Sequence, residues 1–169
     1  MLTYTLTTSL LWIGALSTAL MAGVYFAFSS FVMDSLEKID EISGISAMQS
    51  INKTILNSSF MPLFFGSSII AAALAIISIY SLDGIVSYVT AASGVIYTIG
   101  MFICTAAFNV PLNNILAKTD VNNIHARQIW KHYLINWTRW NHLRTVTSIL
   151  SCGLFIYALT LRMAPVTVS

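Results

Sequence analysis

Residues 6–33 read LTTSLLWIGALSTALMAGVYFAFSSFVM, with no charged side chain anywhere in the stretch. A helix that crosses a bilayer needs about 20 predominantly apolar residues, and this segment exceeds that length. No basic region precedes it, and its apolar character continues beyond any small-residue cleavage site, so it reads as a retained span and not a signal peptide. Three further runs match it, at residues 60–82, 85–108 and 143–161. The link Ser81-Leu82-Asp83-Gly84 is so short that the second and third spans must be antiparallel neighbours. Arg162 and then Pro165 close the fourth.

Composition agrees with this reading. Of the 169 residues, 57% are hydrophobic and only 8% are charged, against about a quarter charged in a soluble domain. So few charges cannot cover a surface that faces water. The net charge of +2 is small and its basic residues are sparse, which argues against nucleic acid as a partner. Cys104 and Cys152 lie inside apolar runs without metal-type or disulfide spacing, and read as small buried hydrophobes. The expected fold is therefore all-α: a single integral membrane domain, residues 1–169, forming a four-helix bundle. Two amphipathic, interfacial helical connections are expected at residues 34–59 and 109–142.

Both connections fall on one face of the membrane. That face carries Lys38, Lys53, Lys118, Arg127, Lys131, Arg139 and Arg144, and the opposite face only Arg162. Such asymmetry places the long connections in the cytoplasm and both termini outside. The expected location is a multi-pass position in a bacterial inner membrane. On the first span, Ala15, Ala19, Gly23 and Ala27 form a small-residue stripe that suits close helix packing, with weaker pairs at Gly94/Thr98 and Gly100/Cys104.

No acidic residue falls within a predicted hydrocarbon core. Ion-coupled transporters usually place an ionisable group there, so transport is a poor fit. The chemistry gathers instead at the cytoplasmic end. Trp130, Tyr133, Trp137, Trp140 and Arg144 recur at steps of three and four, which puts them on one helical face, with Asn141 beside it. Two readings stay open: an interfacial aromatic belt with Arg144 reaching toward headgroups, or an aromatic pocket holding one fixed cation.

Other polar groups sit at the same level. Asn52 interrupts the apolar face of Ile45, Met48 and Ile55, with Gln49 one turn earlier, and a buried amide there needs partners. Asn109 and Asn113 flank Pro111, which is expected to stop or kink the third helix. Tyr25, Phe26, Phe28 and Phe31 of the first span and Phe60, Phe64 and Phe65 of the second lie at this end too. Together they suit a flat, partly polar ligand such as a lipophilic aromatic or quinone. His125, His132 and His142 match no specific metal motif, although haem or copper ligation by His132 and His142 is conceivable.

Four stretches carry a resemblance: Gly23-Val24-Tyr25-Phe26-Ala27-Phe28-Ser29, Ala47-Met48-Gln49-Ser50-Ile51-Asn52, Asn109-Val110-Pro111-Leu112-Asn113, and Trp137-Thr138-Arg139-Trp140-Asn141-His142-Leu143-Arg144. In this order the chain resembles the anthrone-oxygenase-like family of small four-span membrane proteins, over nearly its whole length. Asp34 departs from the pattern, which has a proline soon after the first span. The resemblance implies oxidation of anthrones to anthraquinones by molecular oxygen, with neither metal nor other cofactor. It implies Arg144 with Asn141 at a developing oxyanion, and Asn52, Asn109, Asn113 and Gln49 orienting the substrate. Trp137, Trp140 and Tyr25 would then pack on it; the family pattern rests on the Asn and Arg residues, and His142 or His132 is expected as the base only because histidine titrates near neutrality. A non-enzymatic protein binding a quinone, lipid or partner helix is the alternative, and self-association stays open.

Overall fold

The structure is a computed structural model and describes residues 2–164; Pro165, expected to close the fourth span, lies outside them. It is an all-α bundle with no strand among the described residues. Helix α1 runs over residues 2–38, as Leu2–Ala27, a π-helical turn Phe28–Val32 and Met33–Lys38. Helix α2 is Glu41–Ile55 and α3 is Phe60–Ser81. Helix α4 covers Gly84–Ala117 with π-helical turns at Thr98–Ile103 and Thr105–Asn109, and α5 is Ala126–Met163. Helices α1, α3, α4 and α5 are each long and apolar enough to cross a membrane, which makes this an integral membrane protein.

Three of these helices are longer than the spans expected from the sequence. At about 1.5 Å per residue, the 38-residue α5 is roughly 55 Å long, against a hydrocarbon core of about 30 Å. The charge-rich residues 126–142 are thus no separate interfacial helix but the first half of α5. Likewise α4 does not stop at Phe108 or at Pro111. The π turn Thr105–Asn109 lets Val110 donate to the Thr105 carbonyl, five residues back. That wider turn takes in the proline ring, which in a regular turn would meet the carbonyl four residues earlier.

The protruding ends make a second layer. In the membrane layer, Leu11, Met21, Ala71, Leu74, Tyr97, Met101, Phe155 and Leu159 form one core. Beyond it, Met33 and Leu36 of α1, Ile45 and Met48 of α2, Leu116 of α4 and Trp130, Tyr133 and Trp137 of α5 form another. The Asp40 side chain caps α2 by accepting from the Ser43 amide at 3.0 Å, and hydrogen bonding from the Ser43 hydroxyl, together with that amide, holds its carboxyl below the usual range. Gln49 ties α2 to the end of α4, donating to the carbonyls of Leu116 and Thr119 at 2.8 and 2.9 Å. At the other end Arg162 donates to Thr8 and to the Tyr4 carbonyl and lies over the Tyr4 ring, which ties the last turn of α5 to the beginning of α1.

Of the stripe that the sequence suggests, only Ala15 enters the core. Ala19 and Gly23 are exposed, and a Cβ on Gly23 would meet no atom within 4 Å. Helix α1 instead buries Leu11, Ala15, Thr18, Met21, Ala22 and Tyr25. The tight crossings belong to α4. Gly94 lies against the Ala71 carbonyl and Ala75 of α3, and Gly100 against Thr147 of α5. Near them Ser93 and Ser151 exchange hydrogen bonds at 2.7–3.0 Å between α4 and α5, giving hydroxyls in lipid depth mutual partners.

Candidate active site

Between the two cores lies a cavity of about 260 Å³, near the lower end of the roughly 300–1,000 Å³ typical of ligand pockets. Its wall is mostly aromatic and aliphatic, with Tyr25 and Phe28 from α1, Phe60 and Phe64 from α3, Phe102 from α4 and Trp137 from α5. The rings support one another: Phe60 stacks on Phe64 at 5.9 Å, Phe64 meets Phe102 at 5.4 Å, and Tyr25 stands edge-on to Phe60 at 6.4 Å. Polar groups enter at only a few points, and Arg144 is the sole cation among the lining residues.

Arg144 does not reach out to headgroups. It is 4% exposed and lies inside the bundle, because the three-and-four spacing carries it along the same buried face as Trp130, Tyr133 and Trp137. Its guanidinium carbon sits 4.4 Å from the Tyr25 ring centre and 4.9 Å from that of Trp137. Desolvated contacts of this kind contribute up to about 2 kcal/mol each. One further bond fixes it, from Nη2 to Asn141 Oδ1 at 2.8 Å. Its Nε is buried without a partner, and among the described residues no carboxylate pairs with it. A buried, unneutralised cation is costly, so a wall that holds one favours an anion in the cavity.

Asn141 supports Arg144 and does not line the cavity. It is fully buried, and its amide donates to the Tyr25 carbonyl and to Ser29 Oγ, both at 2.7 Å. Both N–H groups are therefore committed, leaving no donor for an oxyanion. Ser29 sits in the π turn of α1 and also bonds Thr145 Oγ1 at 2.9 Å. A carbonyl just ahead of that turn and a hydroxyl within it thus meet one amide, so α1 and α5 are locked together beside the guanidinium.

The other expected residues divide. Asn52 and Asn113 line the cavity, joined through Tyr133, whose hydroxyl accepts from Asn52 Nδ2 at 3.3 Å and donates to Asn113 Oδ1 at 2.8 Å. Asn109 is buried outside the cavity lining and donates to the Trp137 carbonyl at 3.2 Å. Its Oδ1 and the Trp137 Nε1 lack partners. Trp140 stacks on Phe108 at 3.8 Å, away from the cavity, and Gln49 serves the α2–α4 tie. His142 is exposed in a surface depression with Asp34, Glu37 and Arg139, and His132 is exposed beside Asn136. Neither imidazole reaches the cavity. Among the described residues no three histidine, cysteine or acidic side chains are placed to hold a metal ion. Phe102 and Thr105 line the wall, yet nothing in the local pattern of α4 selects them.

A family model described as anthrone oxygenase matches residues 57–154, more than half of the chain. The chain belongs to the anthrone oxygenase family. The matched segment holds Asn109, Asn113, Trp137, Asn141 and Arg144, while Tyr25, Gln49 and Asn52 lie ahead of it. No curated protein and no solved structure matches the chain.

Proposed function

We propose that the protein is a membrane-embedded, cofactor-independent oxygenase that converts a lipophilic, anthrone-like aromatic to the corresponding quinone. The observation that carries this reading is Arg144, a buried cation without a carboxylate partner that faces an aromatic cavity. An anthrone loses a proton from its central ring to give a flat, electron-rich enolate. Such an anion suits both the aromatic walls and the guanidinium. Held there, the enolate carbon combines with dioxygen and a proton to form a hydroperoxide. Loss of one water from that carbon leaves the second carbonyl, so one ketone and one dioxygen give one quinone and one water.

In this scheme Arg144 holds the enolate oxygen through its free N–H groups, in a site that needs little reorganisation as charge develops. One preorganised donor of this kind is worth about 3 kcal/mol. Trp137 and Phe64 flank the rings, and Asn52 and Asn113 accept or donate at the periphery. No imidazole or carboxylate lines the cavity, so the carbon-bound proton leaves to water at the mouth. The His142→Gln and His132→Gln proteins should accordingly keep turnover within about twofold. A loss of a hundredfold in either would put a histidine base back into the mechanism.

The direct test is oxygen uptake by protein in nanodiscs supplied with anthrone, with the product followed by its quinone absorbance. One quinone per dioxygen is expected. Tight anthrone binding without oxygen uptake would sink the oxygenase reading and leave a binding protein.

Orientation follows from charge. With Arg144 facing the cavity, the connection end still carries six basic residues and the terminal end one, which favours cytoplasmic connections in a bacterial inner membrane. A cysteine introduced at Asn122 should resist an impermeant thiol reagent in intact cells and react after permeabilisation. Labelling in intact cells would reverse the topology.

A further inference from the structure

A second depression, an open groove of about 660 Å³, runs between α2 and the end of α4. It is not separate from the inner cavity. Asn52, Ile55, Leu56, Val110 and Asn113 line both. The inner space is apolar apart from Arg144 and a few amide and hydroxyl groups, whereas the groove is walled by Ser46, Gln49, Ser50, Lys53, Asn113 and Asn114. Among the described residues no carboxylate lines it, and Lys53 is the one cation. At the junction the Tyr133 hydroxyl binds one atom of each amide, Asn52 Nδ2 and Asn113 Oδ1. That fixes both side chains and leaves Asn52 Oδ1 and Asn113 Nδ2 for a ligand passing between them.

We infer that cavity and groove form one two-part site for an aromatic substrate bearing an anionic substituent, a carboxylate above all, at the end remote from Arg144. The inference rests on the proposed oxygenase reading for the ring end and adds the class of substituent at the other. The apolar chamber would exclude a carboxylate unless it were paired, and Arg144 is already engaged by the enolate oxygen. In the groove the substituent keeps water on one side, takes the Lys53 ammonium on the other, and passes the free Asn113 amide on the way. Because Lys53 is exposed, this contact is screened by salt, while the ring contacts are not.

The test compares two probes, anthrone and an anthrone carrying a carboxylate on an outer ring. Binding to the nanodisc protein is read by quenching of tryptophan fluorescence, and oxygen uptake is recorded in parallel. The carboxylated probe is expected to bind about tenfold tighter than anthrone at low salt. That ratio should fall toward one in Lys53→Met and at high salt, and invert in Lys53→Glu. Because the ratio is taken within each protein, a general loss of fold does not mimic it. A wild-type ratio near one, or a ratio that survives in Lys53→Met, overturns the proposal. So does a groove that holds a co-purifying anionic phospholipid which the carboxylated probe fails to displace. Oxygen uptake with neither probe, alongside a Lys53-dependent ratio, would instead refute the oxygenase reading and leave the two-part site standing.

Discussion

Arg144→Gln should lower turnover with anthrone by about a hundred- to a thousandfold, the range seen when one preorganised oxyanion donor is removed. The fold should survive. Gln fits the space and can still meet Asn141, while the buried charge, which π faces and one amide oxygen compensate without a carboxylate among the described residues, is removed. Replacing an incompletely paired buried charge by a neutral group is often neutral or stabilising. The thermal midpoint in nanodiscs should therefore hold or rise as activity collapses. Arg144→Lys keeps the charge without the planar fork and should recover only part of the lost rate. A purely structural Arg144 would show the reverse pattern, with a lowered midpoint and unaltered turnover per folded molecule. Oxygen uptake and a melting curve on the same preparation separate the two.

The second large effect is on assembly. Gly94→Ala should destabilise the bundle by roughly 3 kcal/mol, the upper range for overpacking a well-filled contact. The added Cβ would meet the Ala71 carbonyl, and would lie 2.8 Å from Ala75 Cβ and 3.1 Å from its backbone nitrogen. Backbone of a packed helix has no rotamer with which to yield. Helices α3 and α4 are expected to move apart at this crossing, straining the Ser67–Tyr97 hydroxyl bond of 2.8 Å and the Phe64–Phe102 contact in the cavity wall. At a chain of this size, about 3 kcal/mol corresponds to a fall in midpoint of roughly 6–12 °C. Gly23→Ala is the matched control. Its Cβ meets nothing within 4 Å, and removing a helical glycine should stabilise by up to about 1 kcal/mol. Equal midpoints for the two variants would contradict the α3–α4 contact.

The contrast between these glycines shows where sequence reasoning reached and where it ended. A period of four small residues on α1 was legible, but periodicity reports only that a face exists. It does not say what lies opposite, and in this fold Ala19 and Gly23 face outward. Gly94 and Gly100 carry a weaker pattern and the closest contacts. Helices α4 and α5 outrun their apolar spans for a related reason. Charged and amide side chains lower local hydropathy, so the ends of the spans resemble loops, yet helix continues because those side chains sit on the outer face or bond across helices.

Read along the chain alone, the residues establish a membrane protein with four spans, most of its basic charge at one end, and amides, aromatics and Arg144 gathered there. Those conclusions depend on hydropathy and on helical periodicity, which are local properties. Only the tertiary structure decided that Arg144 turns inward and Trp140 outward, that Asn141 spends both hydrogens on α1, and that His142 stands on the far surface. Each of those is set by the rotation of one helix against another, and the π turns at Phe28–Val32 and Thr105–Asn109 shift that rotation by a residue. No count of residues along a single helix contains it.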